Sequence, residues 1–250
     1  MNAQTRTTKL IQTISAAALL AALTSGCELW WPDVEGSGHW VAESHEAVGF
    51  NRVEVSGQGR VTIVQGDCES VDVETDDNVM PYVRVRVDGQ TLRISLNHDL
   101  AGGVEPSRLH YRVYVRDLES LRVSGSASVT VRRLHTKHLD LEVTGSGDVR
   151  LEDLRADSVN TRISGSGSVD LRGEAGGQEV RISGSGSLTA NHLRTSTTNA
   201  RLSGSGSATV WVTGCLWAKI SGSGSLDYFG QPKVSSDVSG SGDLRARGNK

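Results

Sequence analysis

Cysteine and surplus positive charge are both scarce in this 250-residue sequence. Three cysteines occur, with no C-x-x-C pair and no thiol–imidazole spacing of the kind that holds a metal. Lysine and arginine total 26 against 29 acidic residues, so the formal net charge is −3. We therefore expect no metal site, no cofactor and no nucleic-acid partner, because phosphate binding needs a cationic surplus.

Long apolar runs are also missing, and the one candidate is a signal for export. Residues 10–23 are rich in leucine and alanine, but polar side chains interrupt them and the run is too short to span a bilayer. Arg6 and Lys9 precede this run, and small residues follow it up to Cys27. A basic head, an apolar core and a small-residue end are typical of secretory signal peptides, which we place at residues 1–26.

The residues Leu23-Thr-Ser-Gly-Cys27 resemble the lipobox of bacterial lipoproteins. The resemblance implies that Cys27 becomes the first mature residue and carries lipid, although Thr24 stands where leucine is usual. Acyl chains contribute about 0.8 kcal/mol per buried methylene, so several chains on one residue anchor a protein stably. Glu28, by resemblance to proteobacterial lipoproteins, favours a lipid-anchored envelope protein of the outer membrane. Ordinary secretion with an incidental cysteine is the alternative.

The two remaining cysteines, Cys68 and Cys215, would lie in a compartment that permits disulfides. Their wide separation in the sequence gives no geometric support for a bond. A Cys68–Cys215 disulfide therefore stays an open alternative.

A seven-copy motif of the form V-S-G-S-G-S-V dominates the second half of the chain. Successive copies are 18–20 residues apart, and β-branched or aliphatic residues bracket each of them. A flexible linker would not recur at fixed spacing, so this periodicity indicates a repeat structure. The first glycines of the seven copies are Gly125, Gly145, Gly165, Gly184, Gly204, Gly222 and Gly240.

The segments between the motifs alternate apolar and polar residues, as in Val169-Asp-Leu171 and Val180-Arg-Ile182. A period of two predicts strands, and the repeat lacks the helical pattern of a leucine-rich or ankyrin unit. We therefore predict an all-β fold, a right-handed single-stranded parallel β-helix (solenoid) with coils of ~19 residues. The motif glycines would stack at a corner of each coil, where the chain needs backbone angles that glycine tolerates.

The repeat also sets the domain boundaries. A degenerate copy of the motif surrounds Ser56-Gly57, and Asp88-Gly89 between two alternating segments predicts a hairpin. Further upstream, Trp30 and Trp31 would lie either at a membrane interface or against the first coil. The mature chain is thus divided into a tether at residues 27–49 and a β-helical domain at residues 50–245, with a less regular part at 50–115 and regular coils at 116–245.

The chain resembles the family of putative auto-transporter adhesin head domains called GIN. The resemblance rests on residues 50–66, on Gly89-Gln-Thr-Leu-Arg-Ile94 and on the serial Ser-Gly-Ser-Gly motifs, and it covers residues 50–245. It implies the β-helical fold and an adhesin-like role, and it supplies no catalytic residues. The 18-residue steps at the C-terminal end depart from the family pattern and predict tighter final coils.

Acidic residues near the motifs are the candidates for chemistry. Asp148, Asp170 and Asp227 do not recur at one position of neighbouring coils, so neither a catalytic pair nor a calcium site is predicted. We therefore predict a non-enzymatic cell-envelope lipoprotein, an adhesin-like binding or structural module that presents its surface to an unknown protein or glycan. A carbohydrate-active β-helix enzyme and an envelope-stress or signalling accessory are the alternatives.

Overall fold

The computed structural model describes residues 34–97 and 103–250, which are nearly all strand. Within these ranges a single-turn 3₁₀ helix occupies Met80–Tyr82. The strands are β1 Val34–Glu35, β2 Trp40–His45, β3 Arg52–Gly57, β4 Arg60–Gln65, β5 Ser70–Asp76, β6 Val83–Asp88, β7 Thr91–Leu96, β8 Val104–Glu105, β9 Leu109–Val115, β10 Ser120–Gly125, β11 Ser128–Val131, β12 Leu134–Gly145, β13 Asp148–Gly165, β14 Ser168–Gly184, β15 Ser187–Gly204, β16 Ser207–Gly222, β17 Ser225–Phe229, β18 Lys233–Gly240 and β19 Asp243–Ala246.

The strands stack as successive coils of a parallel β-solenoid, which confirms the predicted fold class. Side A contains β7 and the segments that end at the first motif glycine or at its counterpart Gly57, which are β3, β10, the C-terminal parts of β12 to β16, and β18. Side B follows each motif and contains β9, β4, β11, the N-terminal parts of β13 to β16, β17 and β19. Side C is shorter and joins side B to the next side A; it includes residues 134–136, 154–156, 173–175 and 193–195.

The aliphatic residues that alternate along each strand fill the interior of the solenoid. On β14, Val169, Leu171, Val180 and Ile182 are all at most 1% exposed. Three of their register partners on the preceding coil are aliphatic and the fourth is the buried Thr161, so a largely apolar strip runs along the axis. Burying one such side chain contributes roughly 1.5–3 kcal/mol, which makes this strip the main source of stability.

Polar side chains interrupt the apolar strip near side C. Thr195 and Thr198 are buried, and their hydroxyl oxygens lie 2.9 Å apart as a hydrogen-bonded pair. Gln178 is 4% exposed, and neither polar atom of its side chain has a hydrogen-bond partner among the described residues. Burial of Gln178 therefore contributes less to the free energy of unfolding than burial of an aliphatic side chain at this position would.

The Ser-Gly-Ser-Gly motifs form the corner between sides A and B. All seven first glycines have a φ between 102° and 115°, a region that residues with a Cβ rarely adopt. A Cβ on Gly184 would also lie 2.7 Å from the carbonyl oxygen of Gly165, one coil earlier. That oxygen accepts a 2.9 Å hydrogen bond from the N–H of Ser185, so the ladder between coils continues around the corner.

The second glycine of the motif has a different role. Gly186 does not have a positive φ, but a Cβ there would meet the side chain of Ile163 and lie 3.0 Å from the carbonyl oxygen of Gly167. In the first motif copy this position is Ala127, which is fully buried. The second position therefore requires a small residue, whereas the first requires the backbone freedom of glycine.

The final coils are tighter, as the 18-residue steps predict. Ala190 pairs with Val210, but the next pair joins Arg194 to Trp211. Residues 191–193 consequently have no register partner in β16. The shortening is confined to side C, so sides A and B keep their register.

Residues 50–97 and 103–115 form an N-terminal cap whose order of coils differs from the order of the sequence. Strands β3 and β4 make a coil around Gly57, which has the same positive φ as the later corner glycines. The chain then crosses as β5, antiparallel to β2 and β9, and forms the predicted hairpin between β6 and β7. Strands β7 and β9 return as parallel partners of β3 and β4, so they lie further out than the coil that precedes them in sequence.

Residues 34–49, which the sequence assigns to the tether, belong to this cap. Strand β1 pairs with β8, and β2 pairs with β5. The carboxylate of Asp76 is buried and accepts hydrogen bonds from the N–H of Gly38 at 2.8 Å and from the hydroxyl of Ser107 at 2.6 Å. Burial opposes the charge of Asp76, but these bonds and others from backbone N–H groups hold its pKa below the ordinary value. Cys27, Trp30 and Trp31 lie outside the described residues.

Cys68 and Cys215 are both free in the structure, so the disulfide left open by the sequence is not formed. Cys68 follows β4, whereas Cys215 lies on β16. The register places these strands five coils apart, which is about 24 Å at the usual strand spacing. A disulfide needs Cα atoms within about 7 Å of each other, so the separation excludes the bond.

Candidate functional site on side A

The outward residues three positions before the first motif glycine form a charged row along side A. In the N-terminal half of the row the signs alternate from coil to coil. Arg93 pairs with Glu54 at 2.9 Å, and Arg122 pairs with Glu142 at 3.1 Å. Opposite charges at facing positions of neighbouring strands stabilise a sheet, so this half needs only a structural explanation.

The C-terminal half of the row breaks this alternation. Arg162, Arg181, Arg201 and Lys219 face one another in four consecutive coils, and we call them the cation row. Their side chains are between 41% and 59% exposed. With strands ~4.8 Å apart, the row is about 14 Å long. Like charges at facing positions of neighbouring strands destabilise a sheet. Stabilisation of the fold therefore does not explain why these four cations stand in one row.

Three carboxylates partly neutralise the cation row. Glu179 is shared between Arg181 at 2.6 Å and Arg201 at 2.9 Å. Asp237 contacts Lys219 at 3.0 Å, at the C-terminal end of the row. At the other end Asp140 lies 3.9 Å from Arg162, and it also accepts a 2.8 Å hydrogen bond from Asn160. Four cations therefore have three carboxylates within ion-pair distance, one of which is divided between two partners. Glu142 faces Arg162 across the coils but makes its ion pair with Arg122.

A column of amide, carboxylate and aromatic side chains runs beside the cation row, two residues earlier on each strand. Asn160, Glu179, Asn199 and Trp217 occupy successive positions of this column. Trp217 is 48% exposed and lies on β16, the strand that carries Lys219. An indole this exposed on a flat sheet gains little from packing, so it is available as a contact surface for a ligand.

A ladder of hydroxyl groups borders the cation row on its other flank. The outward residue just before each first glycine is serine or threonine, and Ser164, Ser183, Ser203 and Ser221 are those beside the cation row. Ser203 donates a hydrogen bond to the carbonyl oxygen of Ile182 at 3.4 Å. Side A thus offers cations, amides, hydroxyls and an indole on one flat surface.

The acidic residues that the enzyme alternative requires lie on side B, and neighbouring side chains hold each of them. Asp170 pairs with Arg172 at 3.0 Å and with Arg150 at 3.7 Å. Asp227 pairs with Arg247 at 2.7 Å. Asp148 accepts a hydrogen bond from the hydroxyl of Ser168. These contacts occupy the carboxylates with structural partners.

Residues 34–97 and 103–250 contain no group of three or more histidine, cysteine or acidic side chains placed to hold a metal ion. No helix within those ranges is long and apolar enough to cross a membrane.

The sequence contains a signal for the cation row that the motif alone does not reveal. The seven corner glycines stack at one corner, as their spacing predicts, but they carry no side chains that could bind a ligand. Alignment of the repeats on these glycines places Arg162, Arg181, Arg201 and Lys219 in one column. Cys27, the predicted lipid attachment site, is outside the described residues.

Comparison with protein families matches residues 49–232 to the family described as putative auto-transporter adhesin, head GIN domain. Comparison with curated proteins finds no match. The match to the family covers most of the chain.

Several solved structures share the fold. A putative adhesin from Bacteroides fragilis NCTC 9343 is 24% identical, with a TM-score of 0.79 over 87% of this chain and 100% of its own. A putative lipid binding protein from Parabacteroides distasonis ATCC 8503 is 21% identical, with a TM-score of 0.74 over 86% of this chain and 99% of its own. A putative adhesin from Parabacteroides merdae ATCC 43184 is 21% identical, with a TM-score of 0.69 over 86% of this chain and 98% of its own. At these identities the likeness establishes the shared solenoid.

Proposed function

Because the chain belongs to the family of the putative auto-transporter adhesin head GIN domain, we propose that it is a non-enzymatic, adhesin-like binding module of the cell envelope. In this proposal the cation row on side A is the binding site, and its ligand is an extended acidic glycan. The observation that carries the proposal is the placement of four cations in consecutive coils, against the alternation seen in the rest of the row.

The chemistry of side A favours a carboxylated or sulfated polymer. Three of the four cations are arginines, whose planar guanidinium groups match carboxylate and sulfate oxygens two at a time. An anionic polymer that lies along the cation row for about 14 Å would neutralise the positive charge that the three carboxylates leave unpaired. Trp217 offers an indole face to a sugar ring at the end of the row, and the serine and asparagine side chains suit its hydroxyl groups.

Binding of the purified full chain to dextran sulfate, polygalacturonate and neutral dextran tests this proposal. We expect the two anionic polymers to bind and the neutral one not to, with affinity falling as salt is added because the charges are exposed. The double variant Arg181→Gln/Arg201→Gln should weaken binding at least about tenfold, a change of about 1.4 kcal/mol. Trp217→Ala should weaken it as well, without altering the salt dependence.

The matched control removes two arginines from side B, as Arg150→Gln/Arg245→Gln. Both control residues are exposed and ion-paired, so they equal the test pair in charge and setting. Equal losses in the two double variants would mean that overall charge, rather than side A, governs binding. Release of reducing ends from polygalacturonate, abolished by Asp148→Asn or Asp170→Asn, would replace the proposal with the enzyme alternative.

We further propose that lipid on Cys27 anchors the module at the outer membrane. The support is the lipobox-like sequence that ends at Cys27. Because β1 pairs with β8 in the cap, the described chain begins at that end of the solenoid. An anchor on Cys27 would therefore join the chain at the cap and leave side A accessible.

A further inference from the structure

The last coil of the solenoid leaves its inward residues open to solvent. Val234 and Val238 on β18 are 41% and 43% exposed, whereas their partners one coil earlier, Leu216 and Ile220, are fully buried. Strand β18 pairs with β16 on one edge only among the described residues, and β19 pairs only with β17. A long edge with free N–H and C=O groups over exposed valines is a template for another strand.

The C-terminal tail does not close this end. The N–H of Arg247 donates to the carbonyl oxygen of Tyr228 at 2.8 Å, so the tail continues beside the coil of β17. The ammonium of Lys250 then lies over the rings of Phe229 at 5.2 Å and Trp211 at 5.6 Å. The tail therefore runs along the wall of the solenoid, back toward earlier coils.

The opposite end of the solenoid is the cap, whose outer strands β2 and β6 also pair on one edge only among the described residues. Strands β2, β5 and β6 run antiparallel to their neighbours there, and Phe50, Val79 and Met80 are buried in the cap.

Association of two copies through the same end is isologous and closes as a two-fold dimer instead of a filament. A second copy of this chain is the occupant that β18 fits, because Lys233 and Asp237 have opposite charges and Val234 and Val238 are placed symmetrically about Ser236.

We propose that two copies of the chain associate through their C-terminal ends, with β18 of one copy antiparallel to β18 of the other. In the register that sets Val234 opposite Val238 of the second copy, Ser236 lies opposite itself on the two-fold axis. Lys233 then lies diagonal to Asp237 of the second copy on the outward side, within reach of an ion pair. This pairing buries Val234 and Val238 and gives hydrogen-bond partners to the N–H and C=O groups on the outer edge of β18. It also brings Lys233 of each copy close to Asp237 of the other.

Sedimentation of the purified full chain over a range of concentrations tests the association. Wild type should be a dimer, and Val238→Glu should raise the dimer dissociation constant at least about tenfold by placing charge in the interface. Val48→Glu is the matched control, because Val48 is an exposed valine in the cap. It should leave the dimer intact.

Disulfide trapping tests the register independently. With Cys68 and Cys215 changed to serine, Ser236→Cys should give a covalent dimer on oxidation of intact envelopes, whereas Ser187→Cys on side B should not. A wild-type chain that stays monomeric, or a dimer that survives Val238→Glu and gives no Ser236→Cys product, would overturn the proposal. Polymer binding is measured separately, so a failure here leaves the proposal for side A unaffected.

Discussion

Replacing Gly184 by alanine tests whether the corner between sides A and B requires the backbone conformation that glycine allows. At φ +109° a residue with a Cβ is strained by about 1–3 kcal/mol. The new methyl group would also lie 2.7 Å from the carbonyl oxygen of Gly165, a backbone atom that cannot swing aside, and such overpacking costs about 1–3 kcal/mol more. Alanine restricts the unfolded chain slightly in return, so the expected net loss of unfolding free energy is about 2–5 kcal/mol.

Gly177 provides the matched control on the same strand. Its φ is not positive, and a Cβ there would meet only the hydroxyl of Thr197 at 3.4 Å, an ordinary contact. Gly177→Ala should therefore leave stability unchanged or raise it by up to about 1 kcal/mol.

Urea unfolding compares the two variants, with tryptophan fluorescence and far-ultraviolet circular dichroism as independent probes. Trp211 and Trp217 lie on β16, two coils beyond Gly184. With Trp30, Trp31 and Trp40 changed to phenylalanine in both variants, fluorescence reports on the coils that stack upon the altered corner. Because solenoid coils contact mainly their neighbours, the two probes should separate in Gly184→Ala if the damage stays local. Equal midpoints for Gly184→Ala and Gly177→Ala would refute the assignment of strain to the corner.

Three further predictions concern the cap, the interior and the anchor. The pKa of Asp76 is held below its ordinary value of 3.8, so its contribution to stability is complete above that pH and is lost as the pH falls through the lower folded-state pKa. Asp76→Asn should therefore flatten the acid side of the melting-temperature profile, and an unchanged profile would exclude this role. Gln178→Leu should raise the unfolding free energy by about 1–3 kcal/mol, because it removes unpartnered polar atoms; a lower urea midpoint would contradict this. Cys27→Ser should release the protein to the soluble fraction and abolish labelling by a palmitate analogue, and a wild-type chain that takes up no label would show that Cys27 carries no lipid.

The regular coils could be predicted from the sequence because their determinants are local. Val180-Arg-Ile182 alternates on its own strand, and Gly184 marks the corner whatever lies beyond the next coil. The cap could not be predicted in this way. Strand β7 lies beside β3 because these two segments pair although they are distant in the sequence. Nothing in Thr91 to Leu96 specifies β3 as the partner.

The candidate site was missed for a related reason. Arg181 and Arg201 each fit an outward strand position, and only their alignment across coils makes them neighbours. Asp76 gave no signal either, because its partners Gly38 and Ser107 are brought to it by the cap. A site formed by side chains from neighbouring coils can therefore be recognised only after the repeats are aligned or the structure is known.

The placement of the cap at one end also orders the folding of the chain. Ser56 and Ser124 are neighbours across coils but are 68 residues apart in sequence, so closing the cap requires one long loop. Each later coil adds to a preformed edge only about one repeat away, at a loop-closure cost that does not grow with the length of the solenoid. We therefore expect the cap to be the slow nucleus and the coils to follow it from the N-terminal side, which is the order in which the chain is synthesised.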